Sequence, residues 1–165
     1  MATMTRQKHT PRHTVHTPAG AATTGLILEL FRLNGLLLEA GDRLVADIGL
    51  TSARWQVLGA IALSPVPLPV AHLARNMGLS RQAVQRLANE MERDGLVRFA
   101  PNPHHERAKL VMLTAAGERA FAAAGARQAP WANGLAKGLS AERIEDVRAL
   151  LRSIRERLVP RFRSS

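Results

Sequence analysis

The chain has 165 residues, enough for one domain with a sizeable core. Its 23 Lys and Arg against 13 Asp and Glu leave a net charge of +10, a balance that points to an anionic partner such as nucleic acid. Cysteine is absent, which excludes a disulfide framework and a thiolate metal site. Aromatics at 4% with no Tyr argue against single strands held by base stacking.

Residues 1–21 are rich in Thr, His and Pro and lack the apolar core of a signal peptide. They are expected to form a disordered tail ahead of one domain over 22–160. His9, His13 and His16 have metal-compatible spacing, and with His72, His104 and His105 they set up a metal-sensor alternative. No carboxylate or Cys joins them at ligand spacing, so no metal and no cofactor is assigned. From Ala22 to about Ile48 the leucines at 26, 30, 33, 37 and 44, with Ile48, follow spacings of 3, 4 and 7, which predicts a long helix. Gly35 and Gly41 weaken it and permit close helix packing. No apolar run approaches the ~20 residues of a membrane span, so no membrane partner is expected. Thr51 or Ser52 starts the next helix, with Trp55, Leu58 and Ile61 inward. Pro65, Pro67 and Pro69 then predict a rigid loop.

Residues 70–94 read as two short helices around a Gly-containing turn. Val70, Leu73, Ala74 and Met77 fall at i, i+3, i+4 and i+7, and so do Val84, Leu87, Ala88 and Met91. Ser80 is placed to cap the second helix, Leu79 and Val84 to staple it, and Asp94-Gly95 to end it. The other face of that helix presents Arg81, Gln82, Gln85, Arg86 and Asn89. Arg pairs with guanine, and Gln and Asn pair with adenine, so these are side chains suited to base edges. No acid stands on that face until Glu90 and Glu92. Any solvent-facing helix also carries polar residues, but the exposed N-terminal half of this one has two Arg, two Gln and an Asn and no acid.

Residues 96–114 read as a β-hairpin. Leu96–Ala100 and Ala108–Thr114 are strand-like, and the tip between them carries Pro101 and Pro103, which keep it out of regular pairing. Arg107 and Lys109 lie at or just past the tip, where an arginine suits the deep negative potential of a narrow minor groove. Helix, turn, helix, then hairpin is the layout of a winged helix. Thr114 caps a further helix that Pro130 is expected to break or kink. Ser140 caps the last, where Ile144, Val147, Leu151, Ile154 and Leu158 make a heptad seam. That seam, with the leucine-rich first helix, exceeds what a small central core can cover, and frames a dimer.

The segments LTSARWQVLGAI (50–61), VAHLARNMGLSRQAVQRLANEMERDGLV (70–97) and ERAKLVMLTAAGERAF (106–121) resemble the MarR-type winged-helix transcription regulators in order and spacing. The resemblance covers roughly half the chain. It implies a mostly α fold with a small β-hairpin wing, and dimerisation through helices at 22–48 and 115–159. It also implies a cytoplasmic location and a pocket between the dimer helices and the DNA-binding lobe for phenolic or other aromatic acids. Phe31, Trp55 and His72 are the candidates for lining that pocket, with Arg32 or Arg54 as counter-charge. The family's wing usually has Asp two residues before its tip Arg; here His105 stands there, with Glu106 between and Arg107 retained.

The resulting expectation is a ligand-responsive dimeric repressor of transcription that binds pseudo-palindromic double-stranded DNA and is not an enzyme. Ser80, Arg81, Gln82, Gln85, Arg86 and Asn89 are its expected DNA-binding residues, supported by Arg75, Arg98, Arg107 and Lys109. The alternative is a winged-helix module that turns the same face toward a protein. No P-loop, dinucleotide fingerprint or catalytic constellation supports an enzyme.

Overall fold

The computed structural model describes residues 15–158. His9 and His13 of the metal-sensor alternative therefore lie outside the described residues. Helix α1 (Pro18–Val45) begins before the expected Ala22. Thr17 Oγ1 accepts the Gly20 N–H at 3.1 Å, and Pro18 takes the first helical position, where its missing N–H costs nothing. Up to Gly41 this helix forms a compact unit of its own. It leaves Leu28, Phe31, Leu33, Leu36 and Leu37 exposed, Phe31 by 71%. By length and composition alone it is apolar enough to cross a membrane, with an 18-residue window of mean hydropathy 1.3. That departs from the expectation that no apolar run approaches a span. The leucines at 26, 28, 30, 33 and 36–38 outweigh the few charges set among them.

The second unit runs from Asp42. A 3-10 turn (Ala46–Ile48) leads to α2 (Ser52–Ala62). The α2 start is tied down twice. Thr51 Oγ1 accepts from the Arg54 N–H at 3.3 Å, and Asp42 Oδ1 accepts from the Ser52 N–H at 2.6 Å. Next come β1 (Leu68–Pro69), α3 (Val70–Met77), α4 (Arg81–Arg93), β2 (Val97–Ala100) and β3 (Leu110–Leu113). Helices α5 (Ala115–Leu135) and α6 (Ala141–Leu158) follow. The sheet is antiparallel in the order β1-β3-β2. Strand β1 was not expected: the proline-rich loop pairs Leu68 with Val111 and Pro69 with Leu110. An outer strand of two residues tolerates Pro because it needs no second ladder.

The core of this unit closes over Val57, Leu58, Leu73, Val84, Met91, Val97 and Val111. The helical stripes read from the sequence supply most of it. Trp55 and Ile61 are half-buried against it, while Leu79 is exposed. Helix α5 continues through Pro130 instead of breaking there. Ala126, whose carbonyl loses its partner to the proline, is exposed, so water can take that role. Ser140 Oγ accepts from the Arg143 N–H at 3.4 Å at the start of α6. No described α6 residue is buried, and Ile144, Val147, Leu150 and Leu158 are exposed.

Candidate nucleic-acid interface

Two devices aim α4. Gly78 takes the left-handed conformation (φ 67°) that ends α3, with its N–H on the Arg75 carbonyl and that of Leu79 on the Ala74 carbonyl. Ser80 then caps α4, its Oγ accepting from the Ala83 N–H at 3.1 Å. Three and a half turns follow, with Val84, Ala88 and Met91 pointing into the core. Arg81, Gln82, Arg86 and Asn89 are left exposed and Gln85 half-exposed. Gln85 Nε2 donates to Asn89 Oδ1 at 2.8 Å, so the two amides sit one turn apart as a linked pair.

The C-terminal half of α4 is held from both sides. Arg54 of α2 places Nη2 2.8 Å from Asp94 and 4.0 Å from Glu90. Its charge is thus already partnered within the protein, which removes the reason for assigning it to a ligand. On the other side Glu92 Oε1 accepts from the Phe99 N–H of β2 at 3.3 Å, linking helix to wing.

Between α4 and the wing lies a groove of about 540 Å³. Arg81, Gln85 and Asn89 line one wall, and Arg107 and Lys109 the other, with Pro69, Val70 and Ala71 at one end. Gln82 and Arg86 line a second, larger concavity along α4, which shares Arg81, Gln85, Asn89 and Glu92 with the groove. Seven expected residues therefore border one continuous face. Arg75 and Arg98 are exposed but line neither concavity; Arg98 alternates with the groove-lining Phe99 along β2 and so points to the opposite face of the strand. Ser80 serves as the cap. His72 is exposed on α3 and Trp55 packs on the core, and neither borders these two concavities. Phe31 lies in the other unit.

Two acids line the groove: Glu92, which the sequence already places at the far end of the α4 polar face, and Glu106, which was not anticipated there. Glu92 was legible: it follows Asn89 by three residues and Gln85 by seven, hence on the same helical face. The wing root was less so. Thr114 Oγ1 accepts from the Gly117 N–H at 3.1 Å and donates to the Gly95 carbonyl at 2.6 Å, fastening α5 to the start of the hairpin. Among the described residues no group of three His, Asp or Glu is placed to hold a metal ion.

Comparison with known proteins bears on this geometry. A sequence model described as the MarR family matches residues 48–108. An uncharacterised protein of Mycobacterium tuberculosis strain H37Rv is 35% identical over 127 residues, 77% of this chain and 87% of that protein. The M. tuberculosis transcriptional regulator MosR, solved in complex with DNA, superposes with a TM-score of 0.67 at 27% identity, covering 81% of this chain and 98% of that one. CouR from Rhodococcus jostii RHA1, solved bound to p-coumaroyl-CoA, gives a TM-score of 0.70 at 26% identity, covering 78% and 90%.

Proposed function

The chain belongs to the MarR family of winged-helix transcription regulators, and from that premise we propose that it is a ligand-responsive, dimeric repressor reading pseudo-palindromic double-stranded DNA in the cytoplasm. The observation that carries the DNA-reading part is the groove in which Arg81, Gln85 and Asn89 of α4 face Arg107 and Lys109 of the wing. An α-helix fits the major groove, and a flanking hairpin cation fits the adjacent minor groove. Lys109, in the groove, supplies a phosphate contact that sets register without reading sequence; Arg75 and Arg98, exposed outside the groove, are proposed only for phosphates that flank it. MosR, of the same family, is solved with DNA, which supports the reading.

The dimer rests on the apolar side chains that α1 and α6 each leave exposed. A second copy is the economical cover for both, and it explains an apolar α1 without a bilayer. Helices over 22–48 and 115–159 are its proposed interface. Two-fold symmetry then sets two recognition helices about one helical turn of DNA apart. The effector is proposed to be a small aromatic or phenolic compound; CouR, of similar fold, is solved with p-coumaroyl-CoA, whose acyl group is phenolic. Trp55 and His72 are the effector's proposed contacts in the unit that begins at Asp42, and Phe31 is a separate candidate on α1. The effector acts by favouring a separation of the recognition helices that DNA does not fit, and weakens binding by its differential affinity for the two states.

The test is selection of binding sites from a random duplex pool, followed by footprinting and light scattering of the complex. Two protected half-sites per dimer support the reading. Retention of duplexes with no common sequence would favour the protein-interaction alternative instead.

A further inference from the structure

The wing tip lacks the aspartate usual before its arginine, yet it is not without a fastening. Strands β2 and β3 pair in register from Val97↔Leu113 to Ala100↔Leu110. Pro101 and Pro103 then follow, and neither has an N–H to donate to a ladder. Extending the same register by two residues brings Asn102 opposite Ala108. There the connection is made by a side chain. Asn102 Nδ2 donates to the Ala108 carbonyl at 2.9 Å, Asn102 Oδ1 accepts from the His104 N–H at 3.0 Å, and its carbonyl accepts from the His105 N–H at 3.2 Å. From 101 to 109 only Asn102 and Ala108 are partly buried; the others are exposed. Pro103 restricts the backbone of Asn102, the residue before it, so less freedom is lost in holding this arrangement.

We infer that Asn102 is the positioning residue of the wing: it replaces the missing ladder bond, and so fixes Arg107, the neighbour of Ala108, against the groove. The inference rests on the reading of the wing as a DNA contact. An arginine on an unpinned tip would spend binding free energy on its own ordering, and a pinned one does not. Asn102 needs no contact with DNA to set the affinity.

The experiment is a double-mutant cycle on the full chain, with a duplex selected from a random pool by the wild-type protein. Asn102→Ala and Arg107→Ala should each weaken binding, by about three- to tenfold, with the pair costing little more than the larger single effect. Arg81→Ala should cost the same with and without Asn102. Amide hydrogen exchange at His104 should quicken in Asn102→Ala while α4 amides stay protected, which general destabilisation would not produce. Independent, multiplicative losses for Asn102→Ala and Arg107→Ala, or unchanged exchange at His104, would overturn the inference alone. A neutral Arg107→Ala would overturn the wing's role in binding, and the inference with it.

Discussion

Arg54 on α2 holds Asp94, the residue that ends the recognition helix, at 2.8 Å from its guanidinium. Glu90, one turn earlier, stands at 4.0 Å from the same nitrogen. Arg54 keeps only 23% of its side chain exposed, so it is a structural brace between α2 and the base of α4. Arg54→Ala should lower stability by about 1 kcal/mol in urea denaturation, since its partners stay half-solvated. Asp94→Ala should cost a similar amount, and the double variant little more than either. Additive losses would show that the two side chains do not act together.

The junction of wing and α5 is the next sensitive place. A Cβ built on Gly117 would run into the Leu96 carbonyl, a backbone atom that cannot swing aside. Gly117→Ala should therefore destabilise the fold by about 1–3 kcal/mol despite the better helix propensity of Ala. Thermal unfolding reads it directly. A stability equal to wild type would mean that this approach is not tight in solution.

Arg127 on α5 donates Nε and Nη2 to the Asp47 carboxylate, with Nε 2.9 Å from Oδ1. Those hydrogen bonds, with the attraction of the opposite charge, hold the Asp47 carboxyl below its ordinary value. A depressed carboxylate contributes stability above its unfolded value and loses it as pH falls through the folded one. The stability gap between wild type and Arg127→Ala should thus be full near neutrality and close below about pH 4. High salt should narrow it as well, because the pair is exposed. A gap that does not change with pH would mean that packing, not charge, carries the contact.

The legibility of this fold followed periodicity. The stripes at 70–77 and 84–91 are apolar at helical spacing, and their members fill the core. The polar face of α4 could be read because nothing packs on it. Strand β1 could not, since two residues hold too little pattern and Pro69 argues against a strand. Glu106 and Phe99 line the groove because the hairpin folds back beside α4, a tertiary placement that sequence spacing does not encode. Asn102 was hidden for a related reason: its partners are backbone groups, and backbone groups leave no mark in a sequence.

The two wing cations should separate by what they read. Lys109→Ala should weaken binding about equally on all duplexes and reduce the salt slope by about 1. Arg107→Ala should cost more on A·T-rich flanks than on G·C-rich ones, because the narrow A·T minor groove has the deeper negative potential. Titrations by fluorescence anisotropy at several salt concentrations distinguish them. Equal losses on both flanks would remove the minor-groove assignment of Arg107.

On the proposed function, α4 reads base edges through Arg81 and Gln85. Binding of the Arg81→Ala/Gln85→Ala variant to the wild-type selected duplex tests it most directly, with circular dichroism confirming the fold. Each lost pairing is worth about 1–3 kcal/mol, so the preference for that duplex over a scrambled one should fall by roughly 30-fold or more. A variant that keeps the wild-type preference, with its fold intact, would contradict the claim.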